Sequence, residues 1–593
     1  VTQDIRNLIV AAVLSVLVLL GWTLVQERYF PTPKPAVVAT TDAPAALPGA
    51  VAAPGAAPAT PGAVPAAAAV TLADRAQVMT ASPRVAIVTP RLRGSINLKG
   101  ARFDDLVLPT YRETIDKTSP PVRLLSPSGT ADAYFGQFGW TGTGAPPSDA
   151  IWIASSQQLT PQAPVTLNWT SPTGAVFEQI VSVDENFMFT VRQRVRNAGT
   201  TPLVVQPWGL VSRLGIGKEK NSYNLHVGPL GVIDGTLHDS EVNYDKLKED
   251  GPKRYTTTGG WLGITEKYWL AALVPDQKTQ VQARFAAAPG DQYQADYLSP
   301  AITMAPGATA ETTARFFAGA KEVNLLDSYM KALNIPHFDL AVSWGWFILI
   351  AQPIFRLLDF LFKFTGNFGV AIICLTLIVR SALFPIANKQ YESMAKMRIV
   401  APRMKAIQER NKDDKLKAQQ EMMQLYKTEK VNPLAGCLPL ILQIPIFYAL
   451  YKTLLVSIEM RHQPFVLWIK DLSAPDHLTV LNLFGAIDWQ PPAFIAIGVF
   501  PMILGVTMFL QQKMNPTPMD PVQKQVFAIM PWMFMFIMAP FAAGLQLYWI
   551  TNNLISILQQ WYMLRKYPMP ATPPDVIDVK ATPGKPAAGK ATK

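Results

Sequence analysis

One apolar run carrying a single charge sets the terms for the rest of the chain: Gly366-Asn-Phe-Gly-Val-Ala-Ile-Ile-Cys-Leu-Thr-Leu-Ile-Val-Arg380-Ser-Ala-Leu-Phe-Pro385. As a helix rising about 1.5 Å per residue, it covers a hydrocarbon core of about 30 Å. A guanidinium at the centre of such a helix costs on the order of 3 kcal/mol on insertion scales, so an intramembrane arginine faces a wet cavity or a partner. The run predicts a transmembrane helix over 366–385 with Arg380 directed at something polar.

At 593 residues the chain exceeds what one core supports. Long uncharged runs crowd one end segment and the last two fifths, while the middle alternates polar and apolar residues, as in a membrane protein with a large soluble insert. The formal charge of +11 gathers beside the apolar runs, where the positive-inside rule expects it, so no specific nucleic-acid sequence is expected as a partner. Cys374 and Cys437 both fall in expected spans, which leaves the insert without a disulfide framework or a CxxC metal site, and no cofactor or metal is expected.

Residues 1–30 are expected to be a transmembrane anchor. The apolar stretch 8–25 is preceded by Arg6 and closed by Glu27, Arg28 and Tyr29, without an A-x-A site directly behind it to mark a cleaved signal peptide, so the N-terminus is placed in the cytoplasm. Residues 31–70 are nearly all Pro, Ala, Gly, Val and Thr and are expected to be a semi-extended tether, for want of the large side chains that offset backbone ordering. Residues 71–325 read as all-β. In Phe187-Met-Phe-Thr-Val-Arg-Gln-Arg-Val-Arg196, Phe187, Phe189, Val191 and Val195 fall on one face and Thr190, Arg192, Arg194 and Arg196 on the other. Many such short strands between turn signals predict a β-sandwich. His226 and His238 stand without an HExxH, a GxSxG or a recognisable carboxylate pair, so the insert is not expected to be an enzyme; Trp208, Trp261 and Trp269 are the residues that would line a sugar-binding cleft.

Gln352, Arg356, Asp359 and Lys363 share one helical face, which predicts an interfacial amphipathic helix over 340–363. The basic stretch 386–432, broken at Asn411-Lys-Asp-Asp414, predicts a cytoplasmic helical hairpin. Further spans are expected over 434–456, 493–511, 526–541 and 543–563, with an acidic external loop after the first of them and a basic cytoplasmic tail over 564–593. The result is a multi-pass α-helical membrane protein of six transmembrane helices with both ends inside.

Tyr391-Glu-Ser-Met-Ala-Lys-Met397, Lys430-Val-Asn-Pro-Leu-Ala-Gly-Cys-Leu-Pro-Leu440, Gln443-Ile-Pro-Ile-Phe447 and Gly544-Leu-Gln-Leu-Tyr-Trp-Ile-Thr-Asn-Asn553 resemble the YidC/Oxa/Alb family of membrane protein insertases over about 340–567. The anchor, tether and β insert resemble its Gram-negative form. The resemblance implies a five-helix insertase core in the bacterial inner membrane and a periplasmic β-supersandwich. It implies a non-enzymatic role in inserting and folding nascent membrane proteins, alone or beside the Sec translocon, with membrane lipids around it and a ribosome or targeting receptor met by the hairpin and tail. It also implies a groove, closed on the outer side, with Arg380 at its centre.

The residues carry a matching chemistry. Thr376 and Arg380 are four apart on one helix, Gln443 projects from the next span, and Tyr548, Trp549, Asn552, Asn553 and Ser556 lie along the last. These are the expected groove residues. Phe447, Met530, Phe534 and Ile537 are the expected hydrophobic slide, an adaptable surface for varied clients. Two other readings compete: a transporter or channel for an anionic solute, which should show inverted repeats or paired broken helices that are not found, and a membrane-anchored carbohydrate-binding protein, for which one anchor would suffice.

Overall fold

The computed structural model describes residues 73–217, 225–345, 347–411, 414–429, 438–479, 481–484, 486–487, 497–514 and 521–566. The expected anchor over 1–30, the tether over 31–70, most of the motif that begins at Lys430 and the tail beyond Lys566 lie outside them.

Alternating side chains build two sheets between Arg84 and Ala320, of eleven and nine strands among the described residues. In the first, Tyr134–Gly142 lies between Arg102–Arg112 and Leu203–Leu214; in the second, Met188–Asn197 lies between Ala175–Val183 and Thr309–Ala320. Phe187, Phe189, Val191 and Val195 are buried, and Arg192 and Arg196 exposed, as the period of two requires. The inner faces of the sheets meet through Phe103 and Phe138 on one side and Phe316 on the other, with ring centroids 5.4 and 6.3 Å apart. Two glutamines on the buried face reach across the gap: the Gln179 amide donates to the Phe138 carbonyl at 2.8 Å and the Gln193 amide to the Gly139 carbonyl at 2.7 Å. A buried amide without a partner is costly, so these bonds favour one stacking of the sheets over others. Gly136 is required where the Phe316 ring comes closest, since a Cβ there would lie 2.6 Å from it. Trp208, Trp261 and Trp269 are buried, as tryptophans that serve as core are, and so do not line an open sugar cleft.

The helical part begins where the second sheet ends. Helix α1 (Val323–Ala332) leads through the turn Phe338–Ala341 to α2 (Ile348–Thr365), α3 (Phe368–Ala382) and, past the single residue Leu383, α4 (Phe384–Arg410). Then come α5 (Lys415–Thr428), α6 (Leu438–Val456), α7 (Val499–Lys513), α8 (Pro521–Met538) and α9 (Ala543–Lys566). One described stretch, Phe368–Asn388, is long and apolar enough by itself to cross a membrane; Gln443–Val456 and Gln525–Met538 are shorter apolar helices.

The helix expected over 340–363 starts at Ile348, because Phe338–Ala341 forms a turn of its own and Gly345, at φ +70°, redirects the chain. Its polar stripe is a row of ties to the end of the β domain. The Gln352 amide donates to Asp339 at 3.0 Å, Arg356 pairs with Asp327 at 3.3 Å, and Asp359 accepts from Asn324 at 3.0 Å and from Lys363 at 2.7 Å. The helix expected over 493–511 starts at Val499: Gly498 bridges to Thr479, and Asp476 accepts from the Phe500 amide at 2.8 Å, which satisfies one of the first helical N–H groups. Helices α4 and α5 pack on each other, with Val400 and Met404 against Met422, Leu425 and Tyr426, and with ion pairs Arg403–Glu429 and Arg410–Glu421, each at 2.6 Å.

Candidate functional site

Helix α3 starts cleanly, because the Asn367 side chain accepts from the Val370 amide at 3.1 Å, and it stays apolar until its last turn, where Arg380 stands. Arg380 is half-buried. Its Nε donates to Asn552 Oδ1 at 2.6 Å, and its Nη2 donates to Ser556 Oγ at 2.8 Å and to the Asn552 carbonyl at 3.5 Å. Asn552 and Ser556 are four apart on α9, one above the other on the same face. The Ser556 hydroxyl donates to the Asn552 carbonyl at 2.9 Å, which turns its oxygen toward the guanidinium as an acceptor. Because a guanidinium presents its donors in one rigid plane, acceptors at two of its edges fix its rotation as well as its position.

The polar residues expected to form one set divide into three. Asn552 and Ser556 hold Arg380. Asn553, one residue on and so about 100° around the helix, points to α7, where its amide donates to Thr507 Oγ1 at 3.2 Å. Tyr548 is buried and accepts from the Gln443 amide, which ties α9 to α6. Thr376 is buried too, and its hydroxyl donates to the Ile372 carbonyl of its own helix at 2.7 Å, so it joins the wall of α3 without reaching Arg380 through that bond. Thr507 was missed in the sequence, because a threonine in an apolar run carries no signal until its partner is known.

Two of the apolar residues meet around Trp549. Its ring lies 4.3 Å from that of Phe447 on α6, nearly perpendicular, and 5.1 Å from that of Phe534 on α8. Met530 is half-buried, and Ile537 is 49% exposed on α8. The site thus combines a fixed, oriented positive charge with an aromatic corner joining α6, α8 and α9. Such an arrangement has the chemistry to take a polar or acidic group beside an apolar one.

Residues 84–357 match the family model described as the YidC periplasmic domain, and residues 360–570 match that of the 60Kd inner membrane protein. The protein of Zymomonas mobilis named membrane protein insertase YidC is 44% identical over 570 residues, covering 95% of this chain and 96% of its own. That of Methylobacterium nodulans, with the same name, is 46% identical over 598 residues, covering 95% of each chain. Among solved structures, an active YidC insertase crystal structure with the first transmembrane domain resolved covers 81% of this chain and 95% of its own at 18% identity and a TM-score of 0.36, so the kinship rests on the sequence relatives.

Proposed function

The chain belongs to the YidC/Oxa/Alb family of membrane protein insertases, and we propose that it inserts and helps fold integral membrane proteins through the site around Arg380. The observation that carries the reading is the guanidinium held by Asn552 and Ser556 in the last turn of an apolar helix. Arg380 attracts the acidic or polar leading segment of a client into a groove, which shortens the hydrophobic distance still to be crossed. At an effective dielectric of about 20, a charge pair about 4 Å apart gains roughly 4 kcal/mol before desolvation, enough to bias entry. The apolar part of the client then leaves along Phe447, Met530, Phe534 and Ile537.

In this reading six helices span the bacterial inner membrane: the anchor over 1–30 and the helices α3, α6, α7, α8 and α9. Both ends are cytoplasmic, the β domain is a periplasmic supersandwich, and α4 and α5 meet a ribosome or targeting receptor. The Sec translocon and lipids are the neighbours in the membrane. The basic side chains gathered beside the apolar runs support this orientation.

The test replaces Arg380 by Ala and by Lys and measures insertion of a client with an acidic translocated tail. Arg380→Ala should lower insertion about tenfold or more, the effect of losing roughly 1.4 kcal/mol or more of attraction. Arg380→Lys should recover only part, since an ammonium keeps the charge but not the planar fork. Insertion at the unsubstituted level in both variants would remove the electrostatic step.

A further inference from the structure

Helix α1, which closes the β domain, begins without a cap of its own. Its N-cap residue, Glu322, makes no side-chain bond to the helix; that carboxylate is engaged by Arg91 and the Tyr111 hydroxyl. The N–H of Val323 is satisfied instead from 136 residues away, by Glu459 Oε1 at 2.9 Å. Glu459 sits in the turn Ile458–Met460, which comes one residue, Ser457, after α6, the helix that also carries Gln443 and Phe447. The second oxygen of the carboxyl, Oε2, is closed off from solvent and makes no hydrogen bond among the described residues. Two residues further on, Arg461 lies over the rings of Tyr268 and Trp269, at 5.9 and 5.5 Å, and donates to the Glu113 carbonyl at 3.1 Å, so the same turn grips the β domain twice.

We propose that Glu459 is a positioning residue: it supplies the cap that α1 lacks, holds the β domain against the outer end of α6, and holds it more firmly in acid than in alkali. Helix N-termini favour a carboxylate, yet here the anion is buried with one oxygen unsatisfied. Glu322 from the start of α1 and Asp359 from α2 face it with like charge, and Tyr111 adds none that would neutralise it. Arg91 is engaged with Glu322 and Lys363 with Asp359. Burial pushes the Glu459 carboxyl up to about 7, against the pull of the Glu459 and Val323 backbone N–H groups and with a smaller push from these carboxylates. A carboxyl raised on docking favours the docked state most when protonated. The hold is therefore full below the ordinary value of 4.5, weakens as pH rises from there to about 7, and changes no further above.

The experiment measures hydrogen exchange at the first turn of α1 in the full chain in lipid nanodiscs, at pH 5 and pH 8, corrected for intrinsic rates. Protection should fall severalfold from pH 5 to pH 8. Glu459→Gln, which keeps an acceptor for Val323 but cannot ionise, should be protected equally at both and above the unsubstituted chain at pH 8. Glu459→Ala should lose protection at both and insert clients less well, whereas Arg380→Ala should lose insertion with α1 still protected, which separates this contact from the groove. Protection of Glu459→Ala equal to that of the unsubstituted chain would overturn the proposal. So would the same pH dependence in Glu459→Gln, or full insertion with α1 exposed in Glu459→Ala.

Discussion

The β domain and the helical core each hold arginines out of bulk water, and the acceptors described around them differ. In the β domain, Arg284 pairs with Asp296 across neighbouring strands, Nη2 to Oδ2 at 2.8 Å, and Gln294 donates to the same oxygen at 2.8 Å. Arg84 with Asp104 and Arg213 with Glu266 repeat the device. In the core, the acceptors described around Arg380 include an amide oxygen, a hydroxyl and a backbone carbonyl. A carboxylate cancels a charge and stabilises a fold; neutral acceptors orient a charge without cancelling it. The first arrangement suits a scaffold and the second a site that must still attract.

The largest effect that could break this contrast lies in the scaffold. Asp296→Ala removes the buried carboxylate from the half-buried Arg284 guanidinium, and breaking a buried pair from one side costs up to about 3–5 kcal/mol. The β domain of that variant should melt well below the unsubstituted one in a thermal scan. If Arg380→Met lowered the melting temperature of the core by as much, the two arginines would be doing the same job and the contrast would fail. The next effect sharpens the contrast within the core. Asn552→Ala removes one hydrogen bond to a charged group, worth about 1.5–3 kcal/mol. Insertion of an acidic-tailed client should drop about tenfold, with a loss of thermal stability smaller than that of Asp296→Ala. A folding defect with normal insertion would make Asn552 a packing residue only.

How far the two regions were legible follows from where their partners lie. The strand Met188–Asn197 announced itself because a period of two needs no knowledge of the neighbour, and Arg380 because charge in an apolar run is a local anomaly. The stripe of Gln352, Arg356, Asp359 and Lys363 was equally plain, but the sequence could not name what it faces. Asn324, Asp327 and Asp339 sit in or beside two short elements with no long pattern of their own. Asn552 and Asn553 could not be told apart either, since identical neighbours differ only by the turn of the helix. Glu459 was invisible as a cap, because capping is read from adjacent residues and this one arrives from 136 positions away.

A smaller effect concerns the aromatic corner. Each aromatic pair contributes about 0.5–1.5 kcal/mol beyond area. Trp549→Tyr should keep most of the contact with Phe447 and Phe534, and Trp549→Ala should lose both and slow release of strongly apolar clients. Equal insertion of polar and apolar clients by Trp549→Ala would take the slide away from this corner.

The smallest effect belongs to the hairpin, where an arginine pairs with a carboxylate as in the β domain but in open water. Arg410, with help from Asn411, holds the Glu421 carboxyl below its ordinary value of 4.5. A carboxyl lowered on folding stabilises the folded form above its ordinary value, and that stabilisation is lost as pH falls through the lowered one. Protection at α5 amides, corrected for intrinsic exchange rates, should therefore fall between pH 7 and pH 3, and less so in Glu421→Gln. High salt should shrink the difference, because exposed charges are screened. A salt-insensitive loss of protection as large as that of Asp296→Ala would mean that water does not weaken the device, and burial would then not be what makes the β-domain pairs strong.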